Sequence, residues 1–506
     1  MANARFDLVI IGSGAGGGTM AYALAPSGAR ILILERGDFV PQEEENWSPE
    51  AVWKHRRYRQ KERWVDDTGL HREFLPYTHY GVGGNTKFWG SALFRFRRED
   101  FDETVHGDGI SPAWPIDYDT LAPYYDRAER IYQVHGQHGV DPTDPPRASY
   151  PYSAVPHAPR MQELVEQFRA EGLHPSALPL GLREGCVLCR TCNSFPCRIH
   201  AKSEADVCCV RPALQHSSVT LWTNAYAERL VTDERGGRVI AVDVVKDGAV
   251  VRVEAPIVVV SCGAVNSAAL LLRSTSTAHP RGLANSSGLV GARYMAHLAT
   301  MISAFDWHRK NDTVFQKTVA INDYYLASGR AGRPLGQIQS QGRTDPVVLK
   351  AESPWYGRWI PLGAWKWWAD SAVDWLVMSE DLPHVENRVA VGAHNRIHLR
   401  YTRNNTSSHD ELVSETSHLL RRMGFYTIKH SLGTRNTTHQ CGTVCFGSDP
   451  RVSVLDQFCR AHDVENLFVV DASFFPSSAA VNPGLTIAAQ ALRVADHIID
   501  TDLRTT

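Results

Sequence analysis

The sequence has no run of ~18 to 20 apolar residues free of polar interruption, and so offers no transmembrane helix. It has almost no net charge: 53 Lys+Arg stand against 55 Asp+Glu, a balance of −2. No global basic field exists to draw nucleic acid or anionic membrane, and small near-neutral partners fit better. The N-terminus lacks a basic n-region, a long h-region and a twin-arginine pair. A cytoplasmic location is expected, with the ten cysteines mostly reduced rather than knit into a disulfide framework. What remains is an ordinary globular composition, 43% hydrophobic and 21% charged. Its 506 residues suggest about two or three domains.

The chain opens on chemistry. Phe6 to Ile11 is a short apolar, β-branched run that reads as a buried parallel strand. Gly12, Gly14 and Gly17 follow in Gly-x-Gly-x-x-Gly spacing, then a helical segment, Thr19 to Leu24. Arg30 to Leu34 is a second buried strand, closed by Glu35. Gly12 allows the tight turn, Gly14 lets a pyrophosphate approach the backbone, and Gly17 lets the helix pack on the strand. The helix N-terminus faces the phosphates, and Glu35 can accept hydrogen bonds from a ribose. Because this fingerprint opens a much longer chain, FAD is expected rather than NAD.

Further elements are spread along the chain. Gly81-Val-Gly83-Gly84-Asn85-Thr86-Lys87-Phe88-Trp89-Gly90 lets backbone pass close to something flat or phosphorylated. Trp114 to Tyr118 reads as a turn, and Leu121 to Glu129 as a helix with a proline near its start. Val219 to Thr223, Val239 to Val245 and Ala255 to Val260 read as strands. The last leads into Ser261-Cys262-Gly263-Ala264. Near the C-terminus, Thr438-His439-Gln440-Cys441-Gly442 is followed by a strand, Asn466 to Asp471. Then come Asn482-Pro483-Gly484-Leu485-Thr486 and a small-residue helix, Thr486 to Ile499.

These motifs together resemble the glucose-methanol-choline (GMC) family of flavin oxidoreductases over most of the chain, closest to the branch containing pyranose oxidases, bacterial glycoside 3-oxidases and gluconate or sorbitol dehydrogenase flavoprotein subunits. The resemblance implies an α/β fold: a Rossmann-like FAD-binding domain assembled from discontinuous segments plus a sheet-based α+β substrate-binding domain. The expected division is 1–100, 201–297 and 436–506 for FAD, and 101–200 and 298–435 for substrate. It implies that Gly83, Gly84 and Asn85 lie along the flavin and pyrophosphate, and that Ala264 opens a helix at the FAD. Asp471 is implied at the ribityl and pyrophosphate, with Pro483 and Thr486 near the pyrimidine edge. In fungal-type pyranose oxidases a histidine in this glycine-rich motif is bonded to the flavin. Phe88 stands in its place here and has no nucleophile, so non-covalent FAD is expected. Gly90 replaces a hydroxyl-bearing residue.

An alcohol becomes a carbonyl by losing a proton from oxygen and a hydride from carbon. A base must take the proton, and a polar partner must fix the hydroxyl. By resemblance, His439 is the base and Asn482 the orienting partner, the hydride passing to flavin N5. Histidine suits the task because its intrinsic pKa of about 6.5 leaves it neutral near pH 7. Asn482 cannot usefully accept a proton. His297 reads as structural. The implied reaction is oxidation of a ring secondary hydroxyl, at C2 or C3, of a sugar or glycoside, with reoxidation by O2. The alternative is a sugar or polyol dehydrogenase flavoprotein that hands electrons to a quinone, cytochrome or other partner.

Two segments stay open. Cys186, Cys189, Cys192 and Cys197, with His200, read either as a metal site or as a loop of reduced thiols, and no metal is assigned. Residues 355–375 hold Trp355, Trp359, Trp365, Trp367, Trp368 and Trp375, six of the thirteen tryptophans. They read as a satellite core, as a cover that stacks on sugar rings, or as a face against membrane or partner. The sequons at Asn404 and Asn436 are treated as chance. Strands are expected at Ile338 to Gly342, Arg388 to Val391 and Ile397 to Arg400, all in the substrate domain's sheet.

Overall fold

The computed structural model describes residues 4–69, 71–433 and 437–503; the sequon at Asn436 lies outside them. A five-stranded parallel sheet runs in the order Val219–Trp222, Ile31–Leu34, Leu8–Ile11, Ile257–Val260, Leu467–Val469. Its three central strands are wholly apolar and buried, as a sheet covered on both faces requires. Helix Ala15–Leu24 packs against helix Gly484–Ile498, which in turn packs against Tyr118–Ile131. Helix Ala264–Arg273 packs against strand Ala225–Thr232 of a separate sheet that also holds Val239–Lys246 and Ala249–Glu254. The proline of the Tyr118–Ile131 helix, Pro123, sits past the first turn, because Asp117 rather than a later residue caps the helix.

A second sheet of six antiparallel strands runs Ser176–Ala177, Val319–Ile321, Gln337–Ser340, Ala372–Ser379, Leu298–Phe305, Tyr426–Ser431. Side chains alternate along its strands. Ile302, Ala304, Trp375 and Val377 pack on helices Pro159–Ala170 and Thr406–Arg422, whereas Met301, Ser303, Asp374 and Leu376 face a cavity between the two sheets. This sheet is therefore the roof of the site.

Strands Arg388–Val391 and Ile397–Arg400 form where expected but do not join that sheet. They pair with each other and then with Trp64–Asp66 and Arg72–Phe74. Alternation of side chains marks a strand and its buried face; it carries no information about which neighbour the strand finds.

Candidate active site

The dinucleotide cradle forms from strand Leu8–Ile11, a glycine turn and helix Ala15–Leu24. Gly12 has φ +100°, and a Cβ there would stand 2.2 Å from the Ser261 carbonyl oxygen. A Cβ on Gly17 would stand 2.0 Å from the Gly12 oxygen, so its smallness serves packing within the motif, away from the cavity. Gly14, immediately before the helix, has open space where its Cβ would be and lines the cavity. Gly84 approaches it: a Cβ on Gly84 would lie 3.3 Å from Gly14 Cα. Ser13 ties the parts together. It donates to Glu35 from Oγ at 2.6 Å and from N at 3.2 Å, and its Oγ accepts from Gly83 N at 3.1 Å. Burial pushes the Glu35 carboxyl upward against these hydrogen bonds.

Gly12, Gly14, Glu35, Gly84, Asn85, Ala264, Asp471 and Pro483 all line one cavity of about 1290 Å³ that also holds His439 and Asn482. Asp471 accepts from Gly263 N at 2.9 Å, from Ser473 N at 2.9 Å and from the Ser267 hydroxyl, joining the two strand ends at the helix start. Two expected contacts fall elsewhere. Gly83 lies behind the lining, its Cβ direction taken by Asp206. Thr486 is fully buried, and its hydroxyl meets Tyr125 Oη at 2.7 Å. One turn into the helix, its side chain points back into the packing against Tyr118–Ile131 rather than forward to the cavity.

What holds the Gly83–Gly90 turn comes from residues remote in sequence. Lys87 is buried against Glu204 and Asp206. Lys202 Nζ donates to the carbonyls of Lys87, Trp89, Cys192 and Phe195 at 2.7–3.2 Å. A buried lysine thus clamps the cysteine loop onto the turn that carries Phe88 and Trp89. The four cysteines are free thiols around a small void, and among the described residues no group of three or more His, Cys, Asp or Glu is placed to hold a metal. Burial pushes the Cys192 thiol up to about 12. Phe88 stacks on His79 with ring centroids 3.7 Å apart, and both rings line the cavity.

On the wall of the same cavity, His439 sits with φ +56°, a left-handed backbone that a non-glycine residue adopts under strain. Its Nδ1 lies 3.0 Å from His297 Nδ1, and its Nε2 lies 3.3 Å from Asn482 Nδ2. Asn482 Oδ1 accepts from Gln339 Nε2 at 3.4 Å, which sets its amide. His297 Nε2 is 3.1 Å from the Ser478 carbonyl. That oxygen can only accept, so His297 carries its proton on Nε2 and accepts at Nδ1. His439 then donates from Nδ1, and its Nε2 is left bare and basic beside Asn482. Burial holds both histidines below their usual range, and nearby Lys317 depresses His439 further. His297, expected to be structural, is the residue that sets the tautomer of His439.

Lys317 was invisible in sequence. It is 5% exposed, and its Nζ occupies the space that a side chain on Gly90 would fill, 2.1 Å from the ideal Cβ, with Asn193 Oδ1 2.5 Å from the same point. Desolvation lowers its ammonium to about 8. The missing side chain at Gly90 is what admits this cation to the site.

The tryptophan segment divides three ways. Trp375 is in the core of the six-stranded sheet. Trp365 and Trp368 line the cavity, with ring centroids 6.0 Å apart. Trp355, Trp359 and Trp367 face outward.

GMC oxidoreductase family models match residues 8–299 and 391–491. The chain is 30% identical to the paromamine 6'-oxidase of Streptomyces fradiae, across 97% of this chain and 91% of that protein. It is 28% identical to the 2-methyl-1,2-propanediol dehydrogenase of Mycolicibacterium austroafricanum, across 97% and 95%. The fold matches the crystal structure of pyridoxine 4-oxidase from Mesorbium loti with a TM-score of 0.69 at 20% identity, covering 97% and 98%. The glycine cradle, Glu35 and Asp471 suit an FAD, and the bare histidine nitrogen suits removal of a hydroxyl proton. With more than half of its length matched by one family model, this chain belongs to the glucose-methanol-choline oxidoreductases, FAD-dependent enzymes that act on CH–OH groups.

Proposed function

We propose that this chain oxidises a ring secondary hydroxyl, at C2 or C3, of a sugar or glycoside to a ketone, and that O2 serves as electron acceptor. The observation that carries this reading is the pair His439 and Asn482 on the wall of the cavity that also holds the dinucleotide cradle. FAD, when bound, supplies the hydride acceptor. His439 Nε2 takes the hydroxyl proton, and Asn482 Nδ2 donates to the same oxygen and turns the C–H bond. Lys317 keeps a cation close enough to depress His439, and so favours the oxygen as it gains negative charge. Trp365 and Trp368 offer indole faces on which a sugar ring stacks. The paromamine 6'-oxidase relative supports the sugar class. The lack of a nucleophile at Phe88 supports a non-covalent FAD. On this reading residues 1–100, 201–297 and 436–506 serve the cofactor, and 101–200 and 298–435 the substrate.

A dehydrogenase passing electrons to a quinone, cytochrome or partner is the second reading, favoured by the propanediol dehydrogenase relative. One experiment separates them. Free sugars, O-glycosides and C-glycosides are screened anaerobically for bleaching of the flavin, and oxygen is then readmitted. Bleaching by ring-modified sugars, with a ketone at C2 or C3 in the product, supports the substrate class. Recolouring within turnover time supports an oxidase. Bleaching only by primary alcohols or non-sugar diols overturns the sugar assignment.

A further inference from the structure

The outer side of the tryptophan segment is not explained by catalysis. Trp355 is 72% exposed, Trp359 83% and Trp367 51%. Trp307, 54% exposed, stacks on Trp367 at 5.4 Å and meets Tyr426 at 5.9 Å, so the aromatic surface joins the tryptophan segment to strand Tyr426–Ser431 and to the turn just after strand Leu298–Phe305. Isolated exposed apolar residues are ordinary; a run of exposed indoles in one segment marks an interaction face.

Charge narrows the partner. Between Ser353 and Ala369 the only charged residues are Arg358 and Lys366, both exposed, and there is no acid. This one-sided charge sits on a chain whose overall balance is −2. Indoles that present an apolar body and an N–H favour the headgroup level of a bilayer, and interleaved Lys and Arg favour anionic lipid. A second copy of the chain meeting this face across a two-fold axis would set Arg358 and Lys366 against their own copies with no acid in the segment to answer them.

The face is also firmly mounted. Lys350 Nζ donates to the Ile360 carbonyl at 2.9 Å, and Arg343 Nε donates to the Ala369 carbonyl at 3.1 Å. Tyr356, Ile360, Trp365 and Trp368 of the same segment line the cavity, so the wall of the site and the outward face are one element.

We propose that the outward face of residues 354–367, with Trp307 and Tyr426, seats the protein peripherally on an anionic lipid bilayer and sets the wall of the cavity at the lipid surface. This does not depend on the identity of the substrate.

The test is sedimentation of the FAD-loaded protein with vesicles of phosphatidylcholine alone or of equimolar phosphatidylcholine and phosphatidylglycerol, at low salt. Binding to the phosphatidylglycerol vesicles, with a blue shift of tryptophan emission and quenching by brominated lipid, is expected. Arg358→Gln with Lys366→Gln should weaken it about 30-fold, the factor that two cations at about 1 kcal/mol each give. Trp355→Ser with Trp359→Ser should abolish it; both side chains are exposed, so unchanged circular dichroism and flavin absorbance will show the fold intact. No binding to phosphatidylglycerol vesicles overturns the proposal, as does binding undiminished in the tryptophan variant. Self-association that the same tryptophan changes abolish, without lipid binding, overturns it in favour of an interface between copies.

Discussion

His297 Nδ1 and His439 Nδ1 are 3.0 Å apart, and the Ser478 carbonyl behind His297 decides which of them donates. The proton between the rings belongs to His439, so its Nε2 is free to act as base. The tautomer of His439 is thus chosen by a backbone oxygen that it does not itself touch.

Replacing His297 with Leu is expected to lower the rate of substrate-dependent flavin reduction about 100-fold while FAD stays bound, because the tautomer of His439 is no longer held. His297→Gln, whose carbonyl can accept from Nδ1, should recover part of the rate. Stopped-flow reduction of both variants checks this, and a Gln variant no faster than the Leu variant removes His297 from the positioning role.

His439 is held below its ordinary range, mainly by burial. A lowered pKa means that the unprotonated base persists as pH falls, so flavin reduction should stay level through the usual histidine midpoint of about 6.5 and fall only at lower pH. His439→Ala should abolish reduction with FAD retained. A midpoint at an ordinary histidine value would show that the site is wetter than its geometry implies.

Lys317 is charged below about 8 and neutral above it. The rate should therefore decline as pH rises through that value, and Lys317→Met should lose the decline together with about 10- to 100-fold of the rate. Gly90→Thr, which puts a side chain where Nζ sits, should mimic the loss. Retention of the alkaline limb in Lys317→Met would assign it to another group.

Acid precipitation should release FAD into the supernatant, since Phe88 offers no atom to bond it. If FAD stays on the pellet, the expectation fails, and His79, stacked on Phe88 at 3.7 Å, is the first residue to replace.

Legibility followed the range of the interaction. Gly12, Gly14 and Glu35 were readable because a strand, a turn and a helix in immediate succession demand them at fixed spacing. Thr486 was misplaced because a motif gives position along a helix but not the side packed against Tyr125. The pairing of Ile397–Arg400 with Trp64–Asp66 links segments more than 300 residues apart, which no local pattern encodes. The tryptophans were legible as a cluster. Their division among core, cavity and outer face depended on one strand and two short helices turning them different ways.

By itself, the sequence determined the family, the kind of fold and the glycine turn between the first strand and helix, because these rest on backbone freedom and spacing within short stretches. Only the tertiary structure decided that His297 orders His439, that Lys317 fills the gap left by Gly90, and that Lys202 clamps the turn beneath Phe88. Each of those contacts joins residues far apart in the chain, and each exists because burial forces a polar group to find a partner wherever the fold has placed one.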